Sequence, residues 1–125
     1  MDEIVQGWLD SYLIAWASND PDDIRVLFTE DATYAGGPFD PDPWVGREGI
    51  VTGWIEHKDE PGTWSFEGTP LAYTDGIAVI QGLTEYTEGD TYANLWVLRL
   101  EEDGRASSFV EWFIERDPVR SDQDA

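Results

Sequence analysis

The second half of the chain consists of four segments typical of β-strands, separated by short turns. The first, "TWSFEG", alternates with Trp64 and Phe66 on one side, and Pro70 predicts an edge position or a bulge. The next three are "IAVIQGLTEYT", "TYANLWVLRLEEDG" and "RASSFVEWFIERD". Their turns carry Asp75-Gly76, "EGD" and Asp103-Gly104, which favour tight connections. This order predicts an antiparallel meander, and such a sheet needs cover on at least one face.

Helical patterns in the first half of the chain supply that cover. Residues 3 to 17 carry an apolar stripe typical of an amphipathic helix, formed by Ile4, Val5, Trp8, Leu9, Tyr12, Leu13 and Trp16. Asp20 and Pro21 are typical of the N-cap and first position of a second helix, which we expect to end near Thr29. A third helix is predicted from Arg47 to Lys58. One face of it carries Ile50, Trp54 and His57.

The segment between the second and third helices predicts a short strand over residues 31 to 36, followed by a loop. The loop sequence "GGPFDPDPWVG" is too rich in Gly, Pro and Asp for regular structure, and Trp44 is predicted to tether it. The whole pattern predicts an α+β fold with three N-terminal helices packed on a curved, mainly antiparallel sheet. A chain of 125 residues fits one domain, which we assign to residues 1–118, with 119–125 as a flexible acidic tail.

The charge of the chain is strongly negative, with a formal net charge of -20 at pH 7. Such a charge repels phosphate backbones and anionic lipids, so neither nucleic acid nor a membrane is expected as a partner. Two interpretations of the acidic surface stay open, adaptation to concentrated salt and ordinary solubility. No segment reaches the roughly 18 apolar residues of a membrane span, and the N-terminus lacks a signal-peptide pattern. We therefore expect a cytoplasmic protein.

The residue types present restrict the chemistry. The sequence contains no Cys and a single histidine, His57, which excludes thiolate sites and leaves little material for a Ser-His-Asp triad or a multi-histidine metal site. The acidic clusters at 20–23, 40–42 and 101–103 are typical of caps, loops and turns and lack the spacing of a calcium loop. The sequence predicts neither a metal nor a cofactor.

Several local strings resemble the nuclear transport factor 2-like superfamily, in particular its SnoaL-like members and the ketosteroid isomerases. They are "NDPDDIRVLFTEDATY", "GREGI", "VLRLEEDGR" and the final "EWF". The resemblance spans roughly residues 4 to 116 and implies the cone-shaped nuclear transport factor 2-like (cystatin-like) fold. This fold hosts isomerases, dehydratases, cyclases, hydrolases and non-catalytic binding domains, so it does not by itself imply an activity.

Comparison with the ketosteroid isomerases concerns three positions. Tyr12 resembles the tyrosine of the isomerase oxyanion hole. The general-base aspartate of the isomerase falls at Gly36 here, and its protonated aspartate falls at Trp96. The resemblance therefore implies that this chain does not isomerise steroids by that mechanism, in which the apolar site keeps one aspartate protonated.

The same resemblance implies which side chains face a cavity. From the last two strands these are Tyr92, Asn94, Trp96, Leu98, Phe109, Glu111 and Phe113, with Trp54 facing them from the third helix. Together with Tyr34, the aromatic members suggest a small hydrophobic or aromatic ligand. The opposite parity could fill a homodimer interface on the outer sheet face. It comprises Leu95, Val97, Val110, Trp112 and Ile114.

Glu111 is the first candidate catalytic residue. A carboxylate among aromatic rings is disfavoured as an ion, so its pKa is expected to rise toward the range in which a general acid or base works. The alternative is that Glu111 only accepts hydrogen bonds that fix the sheet, or that it faces the dimer interface. Asn94 and Tyr12 are candidate donors to a substrate oxygen, or buried polar groups with local partners. His57 is a candidate proton shuttle, or a solvated residue at a helix end.

Two functional hypotheses follow, with a third that has less support. The first is a cofactor-independent isomerase, dehydratase or cyclase acting on a small hydrophobic carbonyl compound. The second is a non-catalytic ligand-binding or dimerisation module with a vestigial pocket. A protein-interaction module like the nuclear transport factor itself lacks support from either a tail motif or a basic patch.

Overall fold

The computed structural model describes residues 3–116, in which the chain forms three helices and six strands. In chain order these are α1 (Glu3–Ser18), α2 (Pro21–Arg25), β1 (Phe28–Ala35), β2 (Trp44–Val45), α3 (Arg47–Glu56), β3 (Trp64–Thr74), β4 (Ile77–Tyr86), β5 (Thr91–Leu100) and β6 (Ala106–Arg116). The three predicted helices are present, although α3 follows the first two strands. The tail predicted for 119–125 lies outside the described residues.

All six strands belong to one mixed sheet in the order β2-β1-β6-β5-β4-β3. The predicted meander of β3 to β6 is antiparallel throughout, whereas β1 pairs with β6 in parallel. The irregularity expected at Pro70 is confirmed, because the register of β3 with β4 shifts between Pro70 and Ala72 on the edge strand of the sheet. Trp96 of β5 lies directly opposite Glu111 of β6, a pairing that positions the site described below.

The second helix is shorter and the first strand longer than predicted. The N-cap prediction is confirmed, because the Asp20 carboxylate accepts from the Asp22 backbone N–H at 2.8 Å and Pro21 occupies the first turn. The helix nevertheless ends at Arg25 and not near Thr29. The Leu27 carbonyl accepts a hydrogen bond from the Ala106 N–H at 2.8 Å. From Phe28 onward the chain therefore pairs with β6 and no longer continues the helix. Strand pairing therefore overrides the local helical pattern.

The loop after β1 contains a short strand that the sequence did not predict. Trp44 and Val45 form β2 and pair with Tyr34 and Thr33. The loop before β2 is braced by Asp40, whose carboxylate accepts the backbone N–H groups of Gly36 at 3.0 Å and Asp42 at 2.9 Å. These two bonds hold the pKa of Asp40 below its usual value.

The hydrophobic core lies between α1 and the inner sheet face. The buried side of α1 consists of Val5, Trp8, Leu9, Tyr12 and Ala15. The Phe109 ring is fully buried and stacks with the rings of Trp8 and Tyr12 at centroid distances of 5.9 Å and 5.7 Å. Farther along α1, the Trp16 ring stacks on Trp64 of β3 at 3.8 Å with an interplanar angle of 13°. These contacts fix α1 across the sheet.

The two sides of β5 differ in burial, whereas the end of β6 is exposed on both sides. Asn94, Trp96 and Leu98 are buried, while the alternate positions of β5 are half-buried or exposed. On β6, Trp112 is 47% exposed and Ile114 is 71% exposed. The outer sheet face thus carries apolar side chains that the described residues leave open to solvent. Between residues 3 and 116, no helix is both long enough and apolar enough to cross a membrane.

Candidate functional site

A cavity of about 610 Å³ opens between the helices and the inner face of the sheet. Its size is within the range of small-molecule sites. Its walls come from α1, α3, the strands and the two loops that follow α3 and β4. The lining residues are Tyr12, Trp16, Tyr34, Trp44, Trp54, His57, Lys58, Asp59, Thr63, Thr84, Tyr86, Thr87, Glu88, Gly89, Asp90, Tyr92, Asn94, Trp96, Glu111 and Phe113.

Glu111 is fixed in this cavity through one of its two carboxylate oxygens. Its Oε2 accepts from the Asn94 side-chain amide at 2.9 Å and from the Trp96 indole N–H at 3.1 Å. The Thr84 hydroxyl donates to Asn94 Oδ1 at 2.7 Å, so the amide group of Asn94 is oriented with its nitrogen toward Glu111. Among residues 3–116, no donor forms a hydrogen bond to Glu111 Oε1, and this oxygen is the one left to act on a ligand.

The environment of Glu111 makes its carboxyl group less acidic. Burial raises the pKa of Glu111 above its usual value, and the charge of Asp59 adds to the increase. The hydrogen bonds from Trp96 and Asn94 act in the opposite direction and lower the pKa, but they do not cancel the effect of burial. The group therefore meets the main requirement for a general acid or base, a pKa displaced toward neutrality.

Two tyrosine hydroxyls lie in the same cavity. The Tyr12 and Tyr34 hydroxyl oxygens are 2.7 Å apart, so one hydroxyl donates to the other, and the acceptor keeps its own proton to donate elsewhere. Burial is the largest cause that raises the pKa of Tyr12 and of Tyr34, and the nearby Glu111 raises both further. Both phenols therefore stay protonated at neutral pH, and the hydroxyl that accepts within the pair can donate its proton to a ligand oxygen.

Asp59 is a second carboxylate in the cavity, and the sequence analysis missed it. Its Oδ2 accepts from the Trp16 indole N–H and from the Tyr86 hydroxyl, both at 3.1 Å. Asn19 donates to the Asp59 carbonyl at 2.9 Å and accepts from the Trp54 indole N–H at 3.0 Å. Asp59 lies in the loop after α3, where no strand or helix pattern predicts orientation. The only sequence signal was its position just beyond the helix that carries Trp54.

Of the eleven side chains predicted for the site, Leu98 is buried in the core and does not line the cavity, whereas nine do line it. They are Tyr12, Tyr34, Trp54, His57, Tyr92, Asn94, Trp96, Glu111 and Phe113. Phe109 was expected in the wall and is instead fully buried in the core, because the rings of Tyr12 and Tyr34 cover it at 5.7 Å and 4.4 Å. It supports the cavity wall from behind.

The structure places His57 at the exposed end of α3 and Asn94 in contact with Glu111. His57 follows the last residue of α3 and is exposed. Its ring stacks on Trp44 at 6.0 Å, and it makes no hydrogen bond to Glu111 or Asp59. The Asn94 amide nitrogen donates to Glu111 and so orients that carboxylate.

Trp44 forms part of the cavity wall through close packing on a glycine. Its ring stacks on Tyr34 at 4.9 Å, and a Cβ atom added to Gly53 would lie 2.6 Å from Trp44 Nε1. Only glycine at position 53 allows the indole to lie flat against α3. The predicted tethering of the loop by Trp44 is confirmed by these contacts.

The described residues offer no ready metal centre. Within 3–116, no group of three or more His, Cys, Asp and Glu side chains is arranged to hold a metal ion. What the cavity does offer chemically is two hydrogen-bonded carboxylates, Glu111 and Asp59, two paired phenols and aromatic walls.

A family model for the SnoaL-like domain matches residues 5–113. No curated protein matches the sequence. Solved structures that match include an NTF-2 like protein of unknown function from Burkholderia xenovorans, with a TM-score of 0.70, 18% identity and coverage of 96% of this chain and 92% of that one. A steroid delta-isomerase from Pseudomonas aeruginosa matches with a TM-score of 0.62, 17% identity and coverage of 95% and 84%. An LEH-like epoxide hydrolase from M. tuberculosis matches at 0.58, with 16% identity and coverage of 86% and 80%. At such identities the structural likeness shows the fold alone.

Proposed function

Because the chain belongs to the SnoaL-like domain family and has the α+β nuclear transport factor 2-like (cystatin-like) fold, we propose that its cavity binds a small hydrophobic carbonyl compound and catalyses proton transfer on it without a cofactor. Isomerisation, dehydration and cyclisation all begin with such a step. The observation that carries the proposal is the state of Glu111, a carboxylate with a raised pKa, fixed through Oε2 and available through Oε1 in a ligand-sized cavity.

In this mechanism, Glu111 Oε1 removes a proton from the carbon next to the carbonyl group and returns it at another position. The negative charge that develops on the carbonyl oxygen is stabilised by the Tyr12–Tyr34 hydroxyl pair, whose free proton is donated to it. Asn94 and Trp96 are positioning residues, because they hold the carboxylate and do not need to touch the substrate. The aromatic walls exclude water and keep the base weakly solvated.

A neutral replacement of Glu111 provides the test. Glu111→Gln keeps the side-chain size and one oxygen to accept from Asn94 and Trp96, but it cannot take up a proton. We expect the wild-type protein to accelerate deuterium exchange at the α-carbon of β-tetralone in deuterium oxide, measured by proton NMR. We expect the variant to lose at least about 100-fold of this acceleration, the typical contribution of one general base.

The matched control is Glu85→Gln, the same substitution at an exposed residue of β4 that does not line the cavity. It should leave the exchange rate unchanged. Equal exchange rates for the wild-type protein and Glu111→Gln, both folded at the assay temperature, would refute Glu111 as the base. In that case the bonds from Asn94 and Trp96 would serve only to fix the sheet, and a non-catalytic ligand-binding module would be the better description.

We further propose that two copies of the chain pair through their outer sheet faces. The exposed apolar side chains of Trp112 and Ile114 support this proposal. So does a groove of about 480 Å³ on that side of β5 and β6, lined by Leu95, Trp112 and Ile114 together with the loop at 36–38. A self-complementary apolar face of this kind is typical of a two-fold symmetric dimer.

A further inference from the structure

Two carboxylates in the cavity are held in the same way. Glu111 and Asp59 each accept two hydrogen bonds on a single oxygen, one of them from an indole N–H and the other from a second side chain. The indoles belong to Trp96 and Trp16. In the described part of the chain, no hydrogen bond reaches the second oxygen of either carboxylate. Each group thus presents one fixed, unpaired oxygen inside a cavity of about 610 Å³.

Neither carboxylate has a cationic partner between residues 3 and 116. The salt bridges in this part of the chain both belong to Arg25, which pairs with Asp22 and Glu48 far from the cavity lining. Lys58 and His57 do line the cavity, but both are exposed and neither forms a salt bridge with Asp59 or Glu111. Within residues 3–116, neither cavity carboxylate is therefore paired with a cationic side chain.

The walls of the cavity suit a positive charge as well as an apolar body. Trp16, Trp54, Tyr12, Tyr86 and Trp96 contribute to the lining, and aromatic rings attract organic cations through their quadrupoles. The edge adds further acidic residues, Glu88 and Asp90. The net charge of -20 raises the local concentration of cations around the whole molecule.

We propose that the natural ligand carries a cationic nitrogen, as a protonated or quaternary amine on a compact apolar body, and that Asp59 receives this nitrogen between the aromatic walls. This inference rests on the proposed function, since it names the ligand class of the same cavity. Asp59 acts as the anchor, because it lies in the loop after α3 whereas the proposed base lies on β6, and both residues line the same cavity. A ligand nitrogen at Asp59 leaves Glu111 Oε1 able to reach a neighbouring carbon.

The test compares two ligands of equal size that differ in charge. Phenethylamine is protonated at pH 7, and phenethyl alcohol is its neutral counterpart. We expect calorimetric titration of the wild-type protein to give at least tenfold tighter binding of the amine. We also expect added KCl to weaken amine binding and not alcohol binding, because salt screens only the charged interaction.

Replacement of Asp59 distinguishes the contribution of this one carboxylate to amine binding from that of the protein's overall negative charge. Asp59→Asn keeps an oxygen to accept from Trp16 and Tyr86, and we expect it to reduce amine affinity about tenfold while alcohol affinity is unchanged. Unchanged alcohol affinity also shows that the variant is folded. The control Asp10→Asn removes the same charge from an exposed position of α1 outside the cavity, and amine affinity should stay at the wild-type value.

Three outcomes would overturn the inference. These are equal affinity for the two ligands, no binding of the amine, or equal loss of amine affinity in Asp59→Asn and Asp10→Asn. The proposed function has an independent test, the effect of Glu111→Gln on deuterium exchange of the neutral ketone, so either proposal can be refuted without the other. Glu111-dependent exchange without amine preference would refute only the cationic ligand. Amine preference without Glu111-dependent exchange would refute only the proton transfer.

Discussion

Replacement of Gly82 by alanine should disturb the packing that holds Trp96, and through it Glu111. Gly68 and Gly82 lie opposite each other on β3 and β4, and the Phe66 ring lies over both. A Cβ atom added to Gly82 would overlap the end of that ring, with Phe66 Cε1 at 2.5 Å and the Glu67 carbonyl oxygen at 3.0 Å. These distances are well inside normal van der Waals contact, so either the ring or the strand must move.

The Phe66 ring has little room to move. It stacks on Trp96 at 4.7 Å with an interplanar angle of 5° and also contacts Trp16 at 5.7 Å. Overpacking of a filled core costs about 1–3 kcal/mol of unfolding free energy. For a domain of this size, that corresponds to a fall in melting temperature of roughly 5–15 °C. Because Trp96 donates to Glu111, displacement of the ring should also reduce turnover more than the loss of stability alone explains.

Thermal denaturation, monitored by circular dichroism, measures the loss of stability in Gly82→Ala, and a double mutant identifies the cause of that loss. Phe66→Leu shortens the side chain, so Gly82→Ala combined with Phe66→Leu should be less destabilised than the sum of the two single variants. The control Gly49→Ala places a Cβ in α3 where no atom lies within 4 Å, and about 0.5–1 kcal/mol of stabilisation is expected. Additive effects of Gly82→Ala and Phe66→Leu, or a stable Gly82→Ala protein, would refute the proposed overlap.

Two further predictions concern pH and assembly. Folding raises the pKa of Glu111 above its ordinary value of 4.5, so the folded state loses stability as pH rises through the unfolded and then the folded pKa. The Gln variant lacks this loss. The melting temperature of Glu111→Gln minus that of the wild type should therefore increase between about pH 4 and pH 7, and a constant difference would contradict the raised pKa. Light scattering should give the mass of a dimer for the wild type and of a monomer for Trp112→Asp, and a monomeric wild-type protein at micromolar concentration would exclude pairing through the outer face.

The fold was largely predictable because its elements have strong local signals. The alternating strands and their Asp-Gly turns gave the meander, and the family suggested by the quoted strings is confirmed by the match over residues 5–113. The errors came from pairings that the local sequence does not encode. The α2 pattern was cut short at Arg25 by pairing of Phe28 with Ala106, and β2 formed inside a segment whose composition predicted only a loop.

The site was predictable where helix or strand periodicity, with the parity implied by the resemblance, sets the direction of side chains. Asn94, Trp96 and Glu111 lie on regular strands, so one correct parity placed all three at the cavity. Asp59 lies in a loop, and its orientation depends on contacts with residues about 27 and 43 positions away in sequence, Tyr86 and Trp16. Phe109 lies on the predicted face of β6, but it is buried in the core and does not reach the cavity. Strand alternation gives the face on which a side chain lies and not whether α1 covers it.

The stacked indoles of Trp16 and Trp64 give the molecule an internal optical reporter. Two identical chromophores with ring centroids 3.8 Å apart couple electronically, so their far-ultraviolet transition splits into a pair of circular dichroism bands of opposite sign. The split signal should vanish in Trp64→Phe. Trp16 also donates to Asp59 in the cavity, so a ligand that shifts α1 against the sheet edge would change this signal. Movement of the cavity wall could thus be followed in real time without any label.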